Sequence, residues 1–361
     1  MSTKPVPLRQ VEVARRAGVS PATVSKVIHG GTGISPALRS RVLQTMHDMG
    51  YLPDDAQRRL GAIPRRICLI TYFQFLSLDS SYFHAEVIRS ITSECAHFGI
   101  QVESVLLDRD GPRDVAAYRQ QLKARDAEGV LIVGIDSLEL LAPLRGTGKA
   151  VVIVNGNDPL GMFDSVSPAA RLGSYLAAQH LLACGHREIV HVTHLNRPFI
   201  HQRLDGFREA LEQAGIPFEA SRHLINIDSD TFSAQRASKV IGAMVRRNTL
   251  KATALHCVSD YTAFGVIQGL QRAGRRVPED HSVVSFDDLP FAPLCTPPLT
   301  SVGIDRSHLG RTAVKQLIDR FQHPDEPTQR IETGPRLSIR ESVQTLRPHA
   351  APPKVVLTQD Q

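Results

Sequence analysis

The sequence predicts an α/β protein in which a small basic helical module precedes a large body of alternating strands and helices. Positive charge is concentrated in residues 1–66, where eleven Lys and Arg stand against four Asp and Glu, whereas the remainder of the 361-residue chain is close to neutral. Residues 10–50 contain short stretches of helical apolar periodicity separated by helix-capping residues. From residue 67 onward, apolar strand-like runs alternate with helical stretches, a pattern typical of parallel sheets.

The composition predicts a globular protein, because 42% of its residues are hydrophobic and can form a sizeable core. No run of about 18 apolar residues is present and the N-terminus lacks a secretory signal, so we expect a soluble cytoplasmic protein without a membrane partner. The five cysteines are odd in number and never spaced as CxxC. This spacing predicts buried reduced thiols rather than a disulfide framework or a zinc site.

Residues 10–18 predict a short helix followed by a tight turn. Val11, Ala14 and Ala17 recur at helical spacing. Gly18 follows them and can adopt the positive φ that ends a helix.

A second short helix is predicted directly after this turn. Ser20 supplies an N-cap oxygen and Pro21 occupies the first helical position, where a missing N–H costs nothing. The apolar side chains of this helix are Val24, Val27 and Ile28, which we expect to face inward. A helix, a tight turn and a capped helix form a helix-turn-helix, whose second helix lies in the major groove of DNA. The outer face of this helix carries Ala22, Ser25, Lys26 and His29.

A third helix is predicted from its cap at Ser35 to Gly50, with Pro36 in its first turn. Its apolar stripe consists of Leu38, Val42, Met46 and Met49. The following residues 51–60 predict a helix of six or seven residues that begins after Asp54 or Asp55. A helix this short is marginal in water, so we expect it to become ordered only against a partner. Its Arg58 and Arg59 favour phosphate.

These motifs resemble the lactose-repressor (LacI/GalR) family of transcriptional regulators, and the resemblance covers about residues 9–345. It starts with AGVSPATVSKVI (17–28) and GYLPDDAQRRL (50–60). The later matching motifs are GHREI (185–189), RLDGFREAL (203–211), SDYTAFG (259–265), VPEDHSVVSFDD (277–288) and PPLTSV (297–302).

The resemblance implies a transcriptional repressor that binds a pseudo-palindromic double-stranded operator as a homodimer, under the control of a small-molecule effector. Residues 51–63 would form a hinge helix whose Leu60 wedges into the minor groove. Ala22 can contact a thymine methyl, and Lys26 can reach guanine or a phosphate. For Thr23 and Ser25, a role in the cap region is the alternative to a phosphate contact. The complete predicted DNA-binding set is Ser20, Pro21, Ala22, Thr23, Ser25, Lys26, His29, Arg58 and Leu60.

The body contains six strand-like runs separated by helical stretches. They are ICLITY (67–72), GVLIVGI (129–135), AVVIVNG (150–156), IVHVTH (189–194), TALHCV (253–258) and SVVSF (282–286). The resemblance implies a periplasmic-binding-protein-like effector domain of two α/β subdomains that binds its ligand in a cleft. The predicted domains are 1–50 (helix-turn-helix), 51–63 (hinge), 64–345 (effector domain) and 346–361 (disordered tail). Crossovers between the subdomains are expected near 157–167, 287–290 and 327–330.

Asn155, Ser259 and Asp287 directly follow or end predicted strands, where open α/β sheets bind ligands. The resemblance adds Phe83 and Arg203 to these effector-binding candidates. Arg203 can clamp a hydroxyl, carboxylate or phosphate, or it can form an ion pair with Asp205 or another nearby acid. Asp287 can accept hydroxyl protons or cap a helix, and Asn155 can simply form a turn.

The remaining candidates have equally plain structural alternatives. Phe83 can stack on a sugar or fill the core, and the neighbouring His84 can make a polar contact or lie at the surface. We expect Asp260 to cap the helix that follows it. His191 and His194 are an odd number of positions apart on a strand, so they point to opposite faces and cannot share a metal.

No enzyme motif of the GxSxG or HExxH type is present, and no cofactor is expected. A sugar or sugar derivative is the ligand class that the resemblance favours, with purines as a further class, and either induction or co-repression is open. The competing interpretation is a solute sensor that signals through protein contacts and carries a vestigial DNA module. The intact AGVSPATVS segment argues against it.

Overall fold

In the computed structural model, residues 10–28, 33–49, 62–76, 78–108, 126–195, 197–227 and 233–346 are described, together with Tyr118, Gln120 and Leu122. The chain divides into two compact units. The first comprises Met1–Val166 and Ser307–Ile331, and the second comprises Ser167–Arg306 and Glu332–Gln361. Within the described part of the chain, no helix is both long enough and apolar enough to cross a membrane.

Three helices form the predicted N-terminal module: α1 (Gln10–Ala17), α2 (Pro21–Ile28) and α3 (Pro36–Asp48). The predicted caps are confirmed, because Ser20 Oγ accepts from the Thr23 amide at 3.1 Å and Ser35 Oγ accepts from the Leu38 amide at 3.3 Å. The shared core of the three helices consists of Val13, Ala14, Ala17, Val24, Val27, Val42 and Met46.

One residue of the predicted α1 stripe is wrong. Val11 is 62% exposed, and Val13 is buried in its place. At about 100° per residue, Val13 lies on the same side of the helix as Ala14 and Ala17, whereas Val11 lies on the far side from Val13. The apolar spacing alone allowed either valine.

The first sheet has the strand order β11-β5-β4-β3-β1-β2. Its strands are β1 (Arg66–Tyr72), β2 (Gln101–Leu107), β3 (Gly129–Val133), β4 (Ala150–Val154), β5 (Asp164–Pro168) and β11 (Arg330–Thr333). The apolar runs of β3 and β4 are buried along their whole length, as expected for parallel strands covered on both faces. Within the described residues, the helices of this unit's body with assigned bounds are α4 (Leu78–His97), α5 (Leu138–Leu141) and α11 (Arg306–Gln322).

The second sheet has the order β12-β10-β9-β8-β6-β7, and β12 is antiparallel to β10. Its strands are β6 (Ile189–Thr193), β7 (Leu224–Asn226), β8 (Ala254–Cys257), β9 (Ser282–Asp287), β10 (Thr300–Gly303) and β12 (Arg336–Ser338). Its helices are α6 (Ala170–Ala183), α7 (Pro198–Gln213), α8 (Ala220–His223), α9 (Ala234–Arg246) and α10 (Asp260–Arg272). A Cβ on Gly206 of α7 would collide with the Arg171 carbonyl of α6, so glycine is required for these two helices to touch.

The chain passes between the units after Val166, after Arg306 and after Ile331. The second passage lies later than the predicted 287–290, because β10 pairs in parallel with β9 and keeps the chain in the second sheet as far as α11. The third lies just beyond the predicted 327–330. Residues 51–61 and 347–361 are outside the described residues, so the hinge and the tail stay predictions.

One buried carboxylate in the first unit ties α11 to the segment that leads into β11. Asp164 accepts from Arg320 Nε at 2.8 Å and Nη2 at 2.9 Å, and from Gln316 Nε2 at 3.0 Å and the Gln329 amide at 2.7 Å. Asp164 is 1% exposed, so water cannot replace these donors if the carboxylate is lost. The hydrogen bonds raise the pKa of Arg320.

We therefore expect Asp164→Ala to lower the free energy of unfolding by about 3–5 kcal/mol, because it leaves a largely buried guanidinium without its counter-charge. Urea unfolding measures this loss. Asp319→Ala is the matched control, because it removes a half-exposed carboxylate from the same helix as Arg320. Equal losses for the two variants would contradict the assignment.

Candidate functional site

The outer face of α2 is the candidate DNA-contacting surface. Pro21, Ala22 and Lys26 are exposed, and Lys26 has no carboxylate partner within the described part of the chain. By contrast, Arg15 of α1 is held by Glu12 at 2.6 Å. The charge of Lys26 is therefore available to a partner outside the chain.

Of the other predicted DNA contacts, Ser20 and Thr23 are joined to each other by their hydroxyl groups at 2.9 Å. This bond favours the cap-region role for Thr23, which is half-buried like Ser25. His29, Arg58 and Leu60 lie outside the described residues, so their roles stay predictions.

In the first unit, a polar cluster forms where β4 ends. Asn155 has a positive φ of 54° and its amide nitrogen lies 3.0 Å from His84 Nε2. His84 Nδ1 lies 2.7 Å from Ser81 Oγ, and its ring stacks on Phe75 with centroids 3.7 Å apart. Because the Asn155 amide nitrogen can only donate, His84 Nε2 accepts and Nδ1 carries the proton that is donated to Ser81. His84 is buried, so the surface alternative for it is wrong.

The predicted Phe83 lies beside this cluster. It is 6% exposed, and its ring meets the His84 ring edge-on with centroids 5.4 Å apart. Gly134 leaves room for the Phe75 ring of the same cluster, because a Cβ at position 134 would approach that ring to 2.6 Å. Phe83 therefore packs in the core next to the polar groups, and its contact with an effector stays a prediction.

In the second unit, two predicted effector residues pair with each other. Arg203 of α7 donates from Nη2 to Asp287 Oδ1 at 3.2 Å, and both side chains are buried. The guanidinium lies 3.8 Å from the Phe286 ring centroid and donates from Nη1 to the Val258 carbonyl. Asp205, the alternative partner, pairs with Arg208 instead. The Nε of Arg203 is buried and has no hydrogen-bond partner among the described residues.

Asp287 and Asp288 both adopt positive φ, at 105° and 46°, which is strained for residues with a Cβ. Three contacts hold this turn. Arg306 Nη1 donates to the Asp287 carbonyl at 2.7 Å, the Asp288 amide donates to Ser301 Oγ at 3.1 Å, and the Leu289 amide donates to Asp260 Oδ2 at 2.6 Å. The surroundings thus fix the direction of the Asp287 carboxylate, and its alternative role as a helix cap is wrong.

The expected role of Asp260 is also wrong. Ser259 is the cap of α10, since its Oγ accepts from the Thr262 amide at 3.3 Å. Asp260 is instead fully buried behind the Asp287 turn and also accepts from Ser301 Oγ at 2.6 Å. Burial, and secondarily the charge of Asp287, raise the pKa of Asp260 to about 7. Effector contact by Ser259 stays a prediction.

Sequence reasoning also missed a buried histidine pair. The Nδ1 atoms of His191 and His256 lie 2.8 Å apart on neighbouring strands, and His256 Nε2 lies 3.2 Å from Ser174 Oγ. Burial lowers the pKa of His256 to about 4, so it is neutral near pH 7. No trio of His, Cys, Asp or Glu side chains suited to a metal occurs in the part of the chain that the structure describes. All five cysteines are free thiols, of which Cys184 is half-buried and the others are buried.

Known proteins match both parts of the chain. The family model of bacterial regulatory proteins of the lacI family matches residues 11–54, and that of the periplasmic binding protein-like domain matches residues 178–343. An HTH-type transcriptional repressor PurR of Haemophilus influenzae is 31% identical over 344 residues, which cover 93% of this chain and 98% of that protein. The PurR repressor of Photobacterium profundum is 30% identical with the same coverage.

The chain belongs to the lacI family. It is therefore a DNA-binding transcriptional regulator with an effector domain, and the family and fold expected from the sequence are confirmed. Among solved structures, the transcriptional regulator CelR in complex with cellobiose superposes with a TM-score of 0.69 at 25% identity, covering 94% of this chain and 100% of that one. A lac repressor dimer bound to its operator has a TM-score of 0.66 at 24% identity, with the same coverage, and supports the fold alone.

The raised pKa of Asp260 predicts a pH dependence of stability. Its folded value of about 7 exceeds the ordinary value of 3.8, so the folded state holds a proton that the unfolded state releases between these pH values. This contribution to stability is complete below about pH 4 and is lost as the pH rises toward 7, by up to about 1.4 kcal/mol per pH unit. Asp260→Asn should remove this decline.

The measurement is urea unfolding of wild type and variant at several values between pH 4.5 and pH 8. The comparison uses the difference in stability between the two proteins. Protonation of the buried His256 lowers the stability of both proteins as the pH falls, so this opposite effect cancels in the difference. Asp205→Asn, an exposed acid of the same unit, is the control. If Asp260→Asn and wild type keep parallel profiles, Asp260 is ionised throughout this range.

Proposed function

We propose that this lacI-family member is a repressor that binds a pseudo-palindromic operator as a homodimer and is controlled by a sugar or sugar derivative. The α2 helix of each copy would read one half-site. The effector would be bound by the strand-end side chains, chiefly Arg203 and Asp287. In the first unit, Asn155 and Phe83 stay predicted effector contacts.

The DNA-binding part of the proposal is supported by the packing and capping of the helices in the N-terminal module. Its three helices share one core, and both predicted caps are formed. This packing leaves Ala22 and Lys26 on an exposed face of α2 without internal partners that would compete with DNA. A methyl group and a single cation give one apolar and one polar contact to base edges or phosphates.

One observation carries the effector part: the buried Nε of Arg203 has no hydrogen-bond partner among the described residues. A buried donor of this kind costs free energy unless an acceptor reaches it. The adjacent carboxylate of Asp287 offers acceptors, so donor and acceptor groups lie side by side. A ligand hydroxyl both donates and accepts, and therefore matches this pair better than an acceptor-only group.

Charge supports the same ligand class. The positive charge of Arg203 is already matched by Asp287 at 3.2 Å, and burial raises the pKa of Asp260 behind them. The charge of Arg203 is thus already used by Asp287, whereas a neutral hydroxyl ligand needs no counter-charge of its own. Two similar solved structures contain such ligands: the transcriptional regulator CelR contains cellobiose, and a LacI family regulator of Enterococcus faecium with 25% identity and a TM-score of 0.65, covering 78% of this chain, contains ribose.

We expect Lys26→Ala to weaken operator binding by about 10-fold or more, since one good base contact contributes about 1–3 kcal/mol of discrimination. The operator is first obtained by selecting duplexes from random DNA with the wild-type protein. Affinities for the selected duplex and for single-position variants of it are then measured by fluorescence anisotropy. A base contact by Lys26 relaxes the preference at one base pair, whereas a phosphate contact weakens binding to all sequences equally.

Lys315→Ala, which removes an exposed lysine from α11, is the control for net charge and should bind like wild type. The competing interpretation, a solute sensor with a vestigial DNA module, predicts that the selection enriches no palindrome. That result would exclude the operator-binding proposal.

We expect Asp287→Asn to weaken effector binding by at least about 10-fold, because charged hydrogen bonds contribute about 1.5–3 kcal/mol. A panel of neutral mono- and disaccharides and purine bases, the other class that the family resemblance implies, is screened by the rise in wild-type melting temperature. The hit is titrated against the variant by calorimetry. Asp205→Asn should keep the wild-type affinity, and equal binding by Asp287→Asn would remove Asp287 from the site.

A further inference from the structure

A buried pair of histidines packs against the helix that carries Arg203. His191 of β6 and His256 of β8 are fully buried, and their Nδ1 atoms lie 2.8 Å apart on the two neighbouring strands. Neither side chain belongs to the proposed effector site. Burying polar ring nitrogens costs free energy unless they form hydrogen bonds, so the partners of the pair indicate its role.

The partners of His256 fix the positions of the protons in the pair. His256 Nε2 lies 3.2 Å from both the carbonyl oxygen and the Oγ of Ser174. The Ser174 hydroxyl donates its only proton to the Arg203 carbonyl, so Ser174 offers His256 acceptors alone and His256 Nε2 carries a proton. Burial lowers the pKa of His256 to about 4 and that of His191 well below its usual value, so both rings are neutral near pH 7. His256 Nδ1 is therefore the acceptor, and His191 Nδ1 is the donor.

Ser174 connects this pair to the backbone of Arg203. Ser174 lies on α6 and is fully buried, and its hydroxyl donates to the carbonyl of Arg203 on α7. The two helices are in backbone contact close to this point, because a Cβ on Gly206 would collide with the Arg171 carbonyl. The hydrogen bonds of Ser174 therefore fix where this turn of α7 lies relative to β8.

A second contact joins the pair to the same turn of α7. The ring centroid of the fully buried Phe207 lies 5.3 Å from that of His191 and 5.2 Å from that of His256. Phe207 comes four residues after Arg203, and residues at this spacing lie on the same side of a helix. The imidazoles thus contact this turn directly through Phe207 and indirectly through Ser174.

The guanidinium of Arg203 depends on this placement of α7, because each of its partners lies on another element. Nη1 donates to the carbonyl of Val258, two residues after His256, and Nη2 donates to Asp287 at 3.2 Å. The Phe286 ring of β9 lies 3.8 Å from Cζ. Hydrogen bonds weaken steeply as their geometry departs from the ideal, so a displaced α7 would weaken these contacts and turn Nε in another direction.

We propose that His191 and His256 are positioning residues for Arg203. Through Ser174 and Phe207 they hold the turn of α7 from which the guanidinium reaches its partners. They thereby set the direction of the Nε that has no partner among the described residues. Apolar side chains of similar volume would pack against Phe207 but could not anchor Ser174. The step from this placement to effector affinity rests on the proposed function.

The first test observes the guanidinium without any effector, in the full-length chain labelled with 15N-arginine. Arg203 Cζ lies 3.8 Å from the centroid of the Phe286 ring, so the ring current should shift the Nε–H signal upfield. Arg203→Lys identifies this signal by removing it. The position of the signal then reports whether the guanidinium still lies over the ring.

Two variants interrupt the contacts between the pair and α7. His256→Leu removes both hydrogen bonds of the ring, and Ser174→Ala removes only the hydroxyl that reaches the Arg203 carbonyl. Both should lose the upfield shift of the Arg203 signal. His256→Gln should retain most of the shift, because the glutamine amide can still donate to the Ser174 carbonyl. If His256→Leu fails to fold, Ser174→Ala decides the test, because it deletes a single oxygen atom.

His186→Leu is the matched control, because it removes another fully buried histidine of the same unit. The His186 ring nitrogens lie 2.9 Å from Thr253 Oγ1 and 3.2 Å from the Gln344 carbonyl, partners that the histidine pair does not share. This variant should lower the free energy of unfolding but leave the Arg203 signal in place.

The positions of the protons are measured in wild type labelled with 15N-histidine, where His256 should be protonated at Nε2 and His191 at Nδ1. Three results would each overturn the proposal. They are an unmoved Arg203 signal in Ser174→Ala, an equal displacement of the signal in His186→Leu, and a wild-type His256 without a proton at Nε2.

Effector affinity separates this inference from the proposed function. The probes are the neutral mono- and disaccharides and the purine bases of the same panel. A compound that binds wild type should bind Ser174→Ala about 10-fold more weakly, because a misdirected hydrogen bond from a charged group is largely lost. Equal binding together with an unmoved Arg203 signal rejects the positioning role alone. If the signal moves as expected but no compound of the panel binds wild type, the effector proposal fails and the positioning role stands.

Discussion

The second unit is organised around one constraint, the burial of an arginine and an aspartate in direct contact. Arg203 and Asp287 are 3% and 4% exposed and lie 3.2 Å apart. A buried ion pair is tolerated only where further hydrogen bonds satisfy its remaining atoms. Val258 supplies a carbonyl, Phe286 supplies its ring face, and Asp260 and Arg306 hold the strained turn that directs the carboxylate. One donor, Arg203 Nε, remains without a partner among the described residues. For this reason the pair is a candidate binding site and not only a stabilising ion pair.

The rule that open α/β sheets bind ligands at the ends of their strands predicted part of the candidate site from the sequence. Asn155 and Asp287 were predicted because they end apolar strands, and both have positive φ in the structure, at 54° and 105°. Arg203 lies on a helix, where no periodicity distinguishes it from a solvated arginine, and only the family resemblance identified it. Its pairing with Asp287 joins residues that are 84 positions apart, a distance over which sequence spacing gives no geometric information.

The errors have a common physical origin, because each concerns a choice that tertiary packing makes between near-equivalent local options. Ser259 and Asp260 can both cap a helix, and the buried space behind the Asp287 turn takes Asp260. Val11 and Val13 both suit an apolar stripe, and the orientation of α1 buries Val13. The His191–His256 pair could not be foreseen either, because it depends on the order of β6 and β8 in the sheet rather than on their sequences.

Charge is used differently in two settings that the structure describes. The Arg203 charge is buried and matched, so its effect is confined to atoms in contact with it. The Lys26 charge on α2 is exposed on a small module, where one cation adds a single contact to a specific complex. Net charge alone does not reveal this difference, because it counts a buried, matched cation and an exposed one alike. Which cations remain available to a partner outside the chain is therefore decided by the fold, because the fold determines which of them are buried beside an acid.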